Sequence, residues 1–211
     1  LTLDLAILAR APVPGECKTR LIPELGAQFA ARLQADLTRQ TVSTALQAAV
    51  GRVTLWTAGD PGHTFFRQLA KDFPDLKFIP QMAGDLGDRM HQVFVNNAAS
   101  TLLMGSDCPV ITSELLKECA EALSQKDAVF LPAEDGGYAL VGLRQPSRAL
   151  FQGIGWGGHH VMQQTREQLH NQGMTWCEPQ QVWDVDLPED AKRFLDLKKL
   201  QYEDQGSANL D

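Results

Sequence analysis

Short apolar runs alternate with longer amphipathic segments along most of the chain. LDLAILA (3–9), VTLWTA (53–58), LKFIP (76–80), TLLMGS (101–106), DAVFLPA (127–133) and YALVGL (138–143) read as buried strands. Residues 27–50, 63–72, 87–98 and 113–125 are rich in Ala, Leu, Gln and Glu and read as helices. Asp85 and Asp88 mark the start of the third of these helices, and Thr112 or Ser113 is a natural N-cap for the fourth.

Repeated strand–helix–strand units predict an α/β fold with three layers, a central mostly parallel mixed sheet covered on both faces and right-handed crossovers. That is a Rossmann-like layout, whose ligands lie outside the carboxyl ends of the strands. LARAPVPGECKTRL (8–21) follows the first strand, GDLGDRM (84–90) opens the third helix, GSDCP (105–109) follows the fourth strand and AEDGGY (133–138) the fifth. All are therefore expected on one rim. With 211 residues and no internal repeat or linker, the expectation is a single domain over residues 1–200, followed by a polar, flexible tail at 201–211.

Composition removes several classes of function. A formal charge of -7 and a pI near 5.2 oppose a broad nucleic-acid surface, which needs clustered Lys and Arg. No basic amphipathic anchor points to a membrane. The four cysteines, Cys17, Cys108, Cys119 and Cys177, show neither C-x-x-C pairs nor metal-finger spacing and read as reduced thiols. The N-terminal run LTLDLAILA contains an acid and lacks a basic start, so a cytoplasmic location is expected.

A local cationic site fits an acidic protein. In LARAPVPGECKTRL, Gly15 stands three residues before Lys18, which breaks the ATPase pattern G-x-x-x-x-G-K-[ST]. What remains is a Pro/Gly loop leading to Lys18, Thr19 and Arg20, side chains suited to phosphate oxygens. Ala9, Arg10, Pro12 and Gly15 complete this candidate nucleotide loop, and Gly84 and Arg89 of the GDLGDRM turn join it.

The acids supply the other half. Asp107 stands where an apolar strand ends, and Pro109 prevents regular continuation. In WDVDLPED (183–190), alternation places Asp184 and Asp186 on one side of an extended segment, while Pro188, Glu189 and Asp190 read as a helix start. Asp107 and Asp186 are the candidate ligands of Mg²⁺ or Mn²⁺, hard cations that prefer oxygen donors and can be shared with substrate phosphates. In AEDGGY, Gly136 and Gly137 allow close backbone approach, although a D-G hairpin turn explains the same residues. Glu134, Asp135, Gly136, Gly137 and Tyr138, with Trp156 of GIGWGGHHVM (153–162), form the candidate acceptor side. His159 and His160 are adjacent, so a regular helix would point them about 100° apart, which disfavours shared zinc.

In order and spacing, PGECKTRL, GDLGDRM, GSDCP, AEDGGYALVGL and DVDLPED resemble the bacterial transferase group associated with radical-SAM and selenodomain proteins, within the GT-A glycosyltransferase superfamily. The likeness spans roughly residues 3–200 and implies a nucleotide-diphospho-sugar transferase fold. By position it implies that Lys18 and Arg20 bind phosphate, that Asp107 and Asp186 hold metal, and that Lys18, Asp107 and Asp135 are the catalytic residues. The sequence departs from the superfamily twice: GSDCP has one acid where many glycosyltransferases have D-x-D, and WGGHH replaces a Trp-Ser-Thr pattern.

Three activities stay open at this point. The first is metal-dependent glycosyl transfer from a nucleotide-diphospho-sugar to a small-molecule acceptor. The second is nucleotidyl transfer from a nucleoside triphosphate with release of pyrophosphate. The third is nucleotide binding without turnover, since fold alone does not decide activity.

Overall fold

The computed structural model describes residues 3–97 and 99–207, with side chains as far as Lys199. Among these residues, seven strands form one sheet in the order β3-β2-β1-β4-β6-β5-β7. They are β1 (Leu3–Arg10), β2 (Arg52–Ala58), β3 (Lys77–Pro80), β4 (Ser100–Gly105), β5 (Ala128–Pro132), β6 (Tyr138–Leu143) and β7 (Trp176–Cys177). The helices are α1 (Ile22–Leu25), α2 (Ala27–Ala48), α3 (Thr64–Asp72), α4 (Leu86–Asn96), α5 (Ser113–Gln125), α6 (Val161–Asn171) and α7 (Pro188–Ser207). The six apolar runs are the first six strands, and the four predicted helices are α2 to α5. Residue 98, at the expected end of α4, and residues 208–211 of the expected tail lie outside the described residues.

Connection length explains the pairing. β1 to β4 are joined by helical crossovers and pair in parallel, whereas β5 reaches β6 through residues 133–137 only. That link is too short for a crossover, so the two strands form an antiparallel hairpin, and β6 inserts antiparallel against β4 as well.

Period-two alternation assigns each strand residue to one of two cores. Leu5, Ile7, Leu102, Met104, Val129 and Leu131 face α2, α3 and α5. Their neighbours Ala6, Leu103, Ala128 and Phe130 face Met90, Val93 and Phe94 of α4 and Met162 and Leu169 of α6. Each large side chain fully buried in these layers contributes about 1.5–3 kcal/mol. A third cluster joins Leu21, Leu33 and Leu37 to Trp183, Val185 and Phe194, fixing the segment before α7 against the loop after β1. Among the described residues, no helix is long and apolar enough to cross a membrane.

Candidate active site

The loop after β1 is shaped by its own backbone. Ala11 N–H donates to Ala58 O at 2.9 Å and Glu16 N–H to Val13 O at 3.0 Å, while Gly15 takes a φ of +92°. Lys18 also has positive φ, +47°, just before a single 3-10 turn at Thr19–Leu21. This bend carries the Lys18 side chain inward and leaves that of Arg20 toward solvent, at 5% and 63% exposure respectively.

Inside, Lys18 Nζ donates to Asp107 Oδ2 at 3.2 Å and to the carbonyl of Val185. Val185 N–H in turn donates to Asp107 O at 2.9 Å. Three distant segments are thus tied at one point: the loop after β1, the end of β4 and the stretch before α7. Outside, Arg20 pairs with Asp186. Asp190 Oδ2 accepts from Leu187 N–H at 2.7 Å and Asp186 N–H at 3.1 Å, so Asp190 caps α7 while the Asp186 side chain remains available to Arg20.

These pairs stand in a cavity of about 500 Å³ at the carboxyl ends of β1 and β4. Ala9, Arg10, Lys18, Thr19, Arg20 and Arg89 line it, as do Asp107, Asp186, Asp135, Gly137, Tyr138 and Trp156. The convergence on one rim is therefore observed. Pro12, Gly15, Gly84, Glu134 and Gly136 do not line the cavity. Glu134 turns away to Arg193, at 2.9 Å. Gly84, with φ +131°, precedes Asp85, whose Oδ1 caps α4 by accepting from Asp88 N–H at 2.8 Å. Gly136 acts through contact: a Cβ there would lie 2.1 Å from His159 O, and its carbonyl accepts from Met162 N–H at 2.8 Å. His159 Nδ1 lies 2.9 Å from Asp135 O, so the loop bearing Trp156 is moored to the β5–β6 turn. Trp156 itself packs edge to face on Tyr138, ring centroids 6.4 Å apart, and lies against Gly87 at the start of α4, where a Cβ would meet the indole at 2.9 Å.

Three residues that sequence reasoning left out of the site belong to the cavity or support it. Asp184 shares the wall, and burial, followed by the charges of Asp107 and Asp135, pushes its carboxyl up to about 7. Its alternation with Asp186 was the available signal. Gln81 ties the rim together, its Nε2 donating to Trp56 O at 2.8 Å and its Oε1 accepting from Arg89 at 3.4 Å. Gln34, a buried amide on an apolar helix face, donates to Ser106 Oγ at 3.2 Å beside Asp107. Nothing in the local sequence marks Gln81. Cys17 and Cys108 are buried fillers: burial pushes Cys108 up to about 12 and raises Cys17 as well. Burial likewise raises Tyr138 above the ordinary phenol range.

Four carboxylates and four cations thus face one cleft. Among the described residues, no group of three or more His, Cys, Asp or Glu is arranged to hold a metal ion by itself. Hard oxygen donors are nevertheless what Mg²⁺ and Mn²⁺ take, and Asp184, raised by burial first and by the charges of Asp107 and Asp135 second, stands among acids whose negative charge a cation would offset.

Known structures bear on the fold. A candidate nucleotide-diphospho-sugar transferase from Desulfovibrio desulfuricans G20 superposes with a TM-score of 0.79 at 28% identity, covering 89% of this chain and 84% of its own. A CMP:2-keto-3-deoxy-manno-octonic acid synthetase complexed with CTP gives a TM-score of 0.63 at 14% identity, over 95% of this chain and 100% of its own. Rv0371c from Mycobacterium tuberculosis H37Rv, in complex with manganese, gives 0.56 at 17% identity, over 93% and 99%. No curated protein matches the sequence. The fold is that of the nucleotide-diphospho-sugar transferases and nucleotidyltransferases. Residues 41–158, from the middle of α2 to the loop of Trp156, match the family described as uncharacterised proteins conserved in bacteria, DUF2064, and the chain belongs to that family.

Proposed function

We propose that the protein is a transferase acting on a nucleotide-activated donor, and that it transfers a glycosyl group from a nucleotide-diphospho-sugar to a small-molecule acceptor. The observation that carries this reading is the meeting of Arg10, Lys18, Arg20 and Arg89 with Asp107, Asp135, Asp184 and Asp186 in one cleft at the carboxyl ends of the parallel strands. Membership of the radical-SAM- and selenodomain-associated group is the finer form of the same reading.

Arg20 and Arg10, both exposed at the mouth, are placed to meet diphosphate oxygens. Lys18 acts differently, holding Asp107 and the 183–187 segment in register. Asp107 and Asp186, with Asp184 beside them, would hold Mg²⁺ or Mn²⁺. Bound there, the cation would offset the charge of the leaving diphosphate. On the acceptor side, Asp135 stands at the β5–β6 turn, exposed and fixed by its contact with Gly137 N–H at 2.9 Å. Its carboxylate would take the proton of the acceptor hydroxyl as that oxygen bonds to the sugar carbon and the bond to the diphosphate oxygen breaks.

Nucleotidyl transfer is the second reading. It is favoured by the single acid of GSDCP and by the fold likeness to a synthetase solved with CTP. The two reactions differ in product. Thermal shifts with nucleoside triphosphates and nucleotide sugars, with and without Mg²⁺ or Mn²⁺, name the donor class, and product analysis then separates nucleoside diphosphate from pyrophosphate. Binding without either product would leave a nucleotide-binding protein, and no metal-dependent shift from either class would overturn the proposal.

A further inference from the structure

The cavity at the carboxyl ends of the strands has two unlike halves. Its charged half, with Lys18, Arg20, Asp107 and Asp186, lies where the loop after β1, the end of β4 and the stretch before α7 meet. The other half is an open end of the second core: Leu8 of β1, Met90 of α4 and Val141 of β6 pack in that core and also line the cavity. Leu86, Tyr138 and Trp156 carry the same wall toward the mouth. Leu8, Tyr138 and Trp156 stay half-buried and Leu86 is 36% exposed, so this end of the core is not closed by its own side chains. A contiguous apolar surface left open beside a polar one marks a binding face.

The wall presents carbon even where its residues own polar atoms. The Tyr138 hydroxyl is buried against Met90 Sδ at 3.9 Å, so the part of this residue that reaches the cavity is its ring. The Nε1 edge of the Trp156 indole is turned to Gly87, where a Cβ would meet it at 2.9 Å. The two rings stand edge to face, 83° apart in plane, and Phe130 braces Tyr138 with centroids 5.2 Å apart. Asp135, at the turn that leads into Tyr138, is the acid on this side. A sugar or polyol needs partners for most of its hydroxyls, and such a wall supplies one carboxylate. A nucleobase is flat but has polar edges, and the guanidinium suited to them, that of Arg89, is held by Gln81 beside the end of β2. A flat carbon ring with one hydroxyl fits, since it gains aromatic contact and has little conformational freedom to lose.

We propose that the acceptor is a phenol or an aryl-substituted alcohol, whose ring lies on the wall of Leu86, Tyr138 and Trp156 and whose hydroxyl reaches Asp135. Its role as acceptor rests on the proposed donor function of the charged half, whereas the binding of a ring at this wall does not. In the transfer, the hydroxyl gives its proton to the Asp135 carboxylate and its oxygen bonds to the sugar carbon. The nucleoside diphosphate leaves with the electron pair of the broken carbon–oxygen bond. Trp156 and Leu86 thereby select the acceptor, and the charged half selects the donor.

Saturation-transfer NMR on the full chain tests the wall, with 2-phenylethanol and 4-methylphenol as ring probes and D-glucose and glycerol as polyol probes. The ring probes are expected to bind and the polyols not. Trp156→Ala and Leu86→Asn are each expected to weaken ring-probe binding about ten-fold, with Trp156→Phe restoring most of it. Leu86 is exposed, so Leu86→Asn is expected to keep the wild-type melting temperature, and a fold weakened by Trp156→Ala would not mask the result. Arg20→Ala, in the charged half, is expected to leave ring-probe binding unchanged. The proposal is overturned if neither ring probe binds at tens of millimolar, if a polyol binds as tightly, or if binding survives both wall substitutions. It is overturned too if Leu86→Asn removes the nucleotide-induced thermal shift, because the wall would then hold the nucleobase. Ring probes that bind a wild-type protein showing no nucleotide shift would uphold the wall and sink the donor reading alone.

Discussion

Lys18 and Arg20 stand two residues apart, and each pairs with an aspartate of the same cavity, yet their surroundings are opposite. The Lys18 ammonium is nearly shut off from water and bonded to two partners, while the Arg20 guanidinium is open to solvent. A buried donor with fixed partners cannot leave them cheaply, because both Asp107 and the Val185 carbonyl would lose their bonds. An exposed pair is screened and contributes little to stability, so Arg20 could exchange Asp186 for the phosphate of the proposed donor at small cost. Two positions in the same loop therefore hold a buried structural cation and an exposed one that the proposed function assigns to the ligand.

That contrast can be broken in four ways. Lys18→Ala should destabilise the fold by about 2–3 kcal/mol in urea denaturation, the figure discounted because Asp107 is partly solvated. A loss below about 0.5 kcal/mol would erase the distinction from Arg20. Asp107→Asn should cost about 1–2 kcal/mol by the same assay, since the amide keeps an acceptor for Lys18 but loses the charge, and should remove metal-dependent nucleotide shifts. Arg20→Ala should change stability by less than about 0.5 kcal/mol while weakening nucleotide affinity roughly ten-fold, with a reduced salt dependence of binding. Unchanged affinity would take Arg20 out of the ligand's reach. Glu134→Ala, which breaks an equally exposed pair outside the cavity, should alter neither stability beyond about 0.5 kcal/mol nor affinity, and any lost affinity would mean that the acceptor side extends to Arg193.

Six of the seven strands were legible because most are buried on both faces and the helices between them carry an apolar stripe, both of which are local patterns, whereas β7 is two half-buried residues, too short to show one. The rim was legible because glycines, prolines and acids cluster where strands stop. The burial of Lys18 was not, since its partner Val185 is 167 residues away and no local pattern encodes that contact. A Lys in a polar loop reads as solvated from sequence alone, and replacing it would be expected to spare the fold. Gln81 escaped for the same reason: its role is to bridge the ends of two strands, visible only once those strands are side by side. Gly136 was legible as a residue permitting close approach, but the backbone that approaches, at His159, belongs to the loop of Trp156, and no local pattern pairs the two. Glu134 and Asp135 are neighbours in sequence and diverge in space, because the turn sends one toward α7 and the other into the cavity.

The bond from Val185 N–H to Asp107 O bears on the order of assembly. Residues 183–190 leave the ribosome after every strand of the sheet, so the layers can form while two of the four cavity carboxylates are still missing. Contacts across such a sequence separation close late, because chain entropy opposes them until their surroundings are in place. The nascent protein would thus pass through a folded state unable to hold its ligand, and competence would arrive with the last segment to dock.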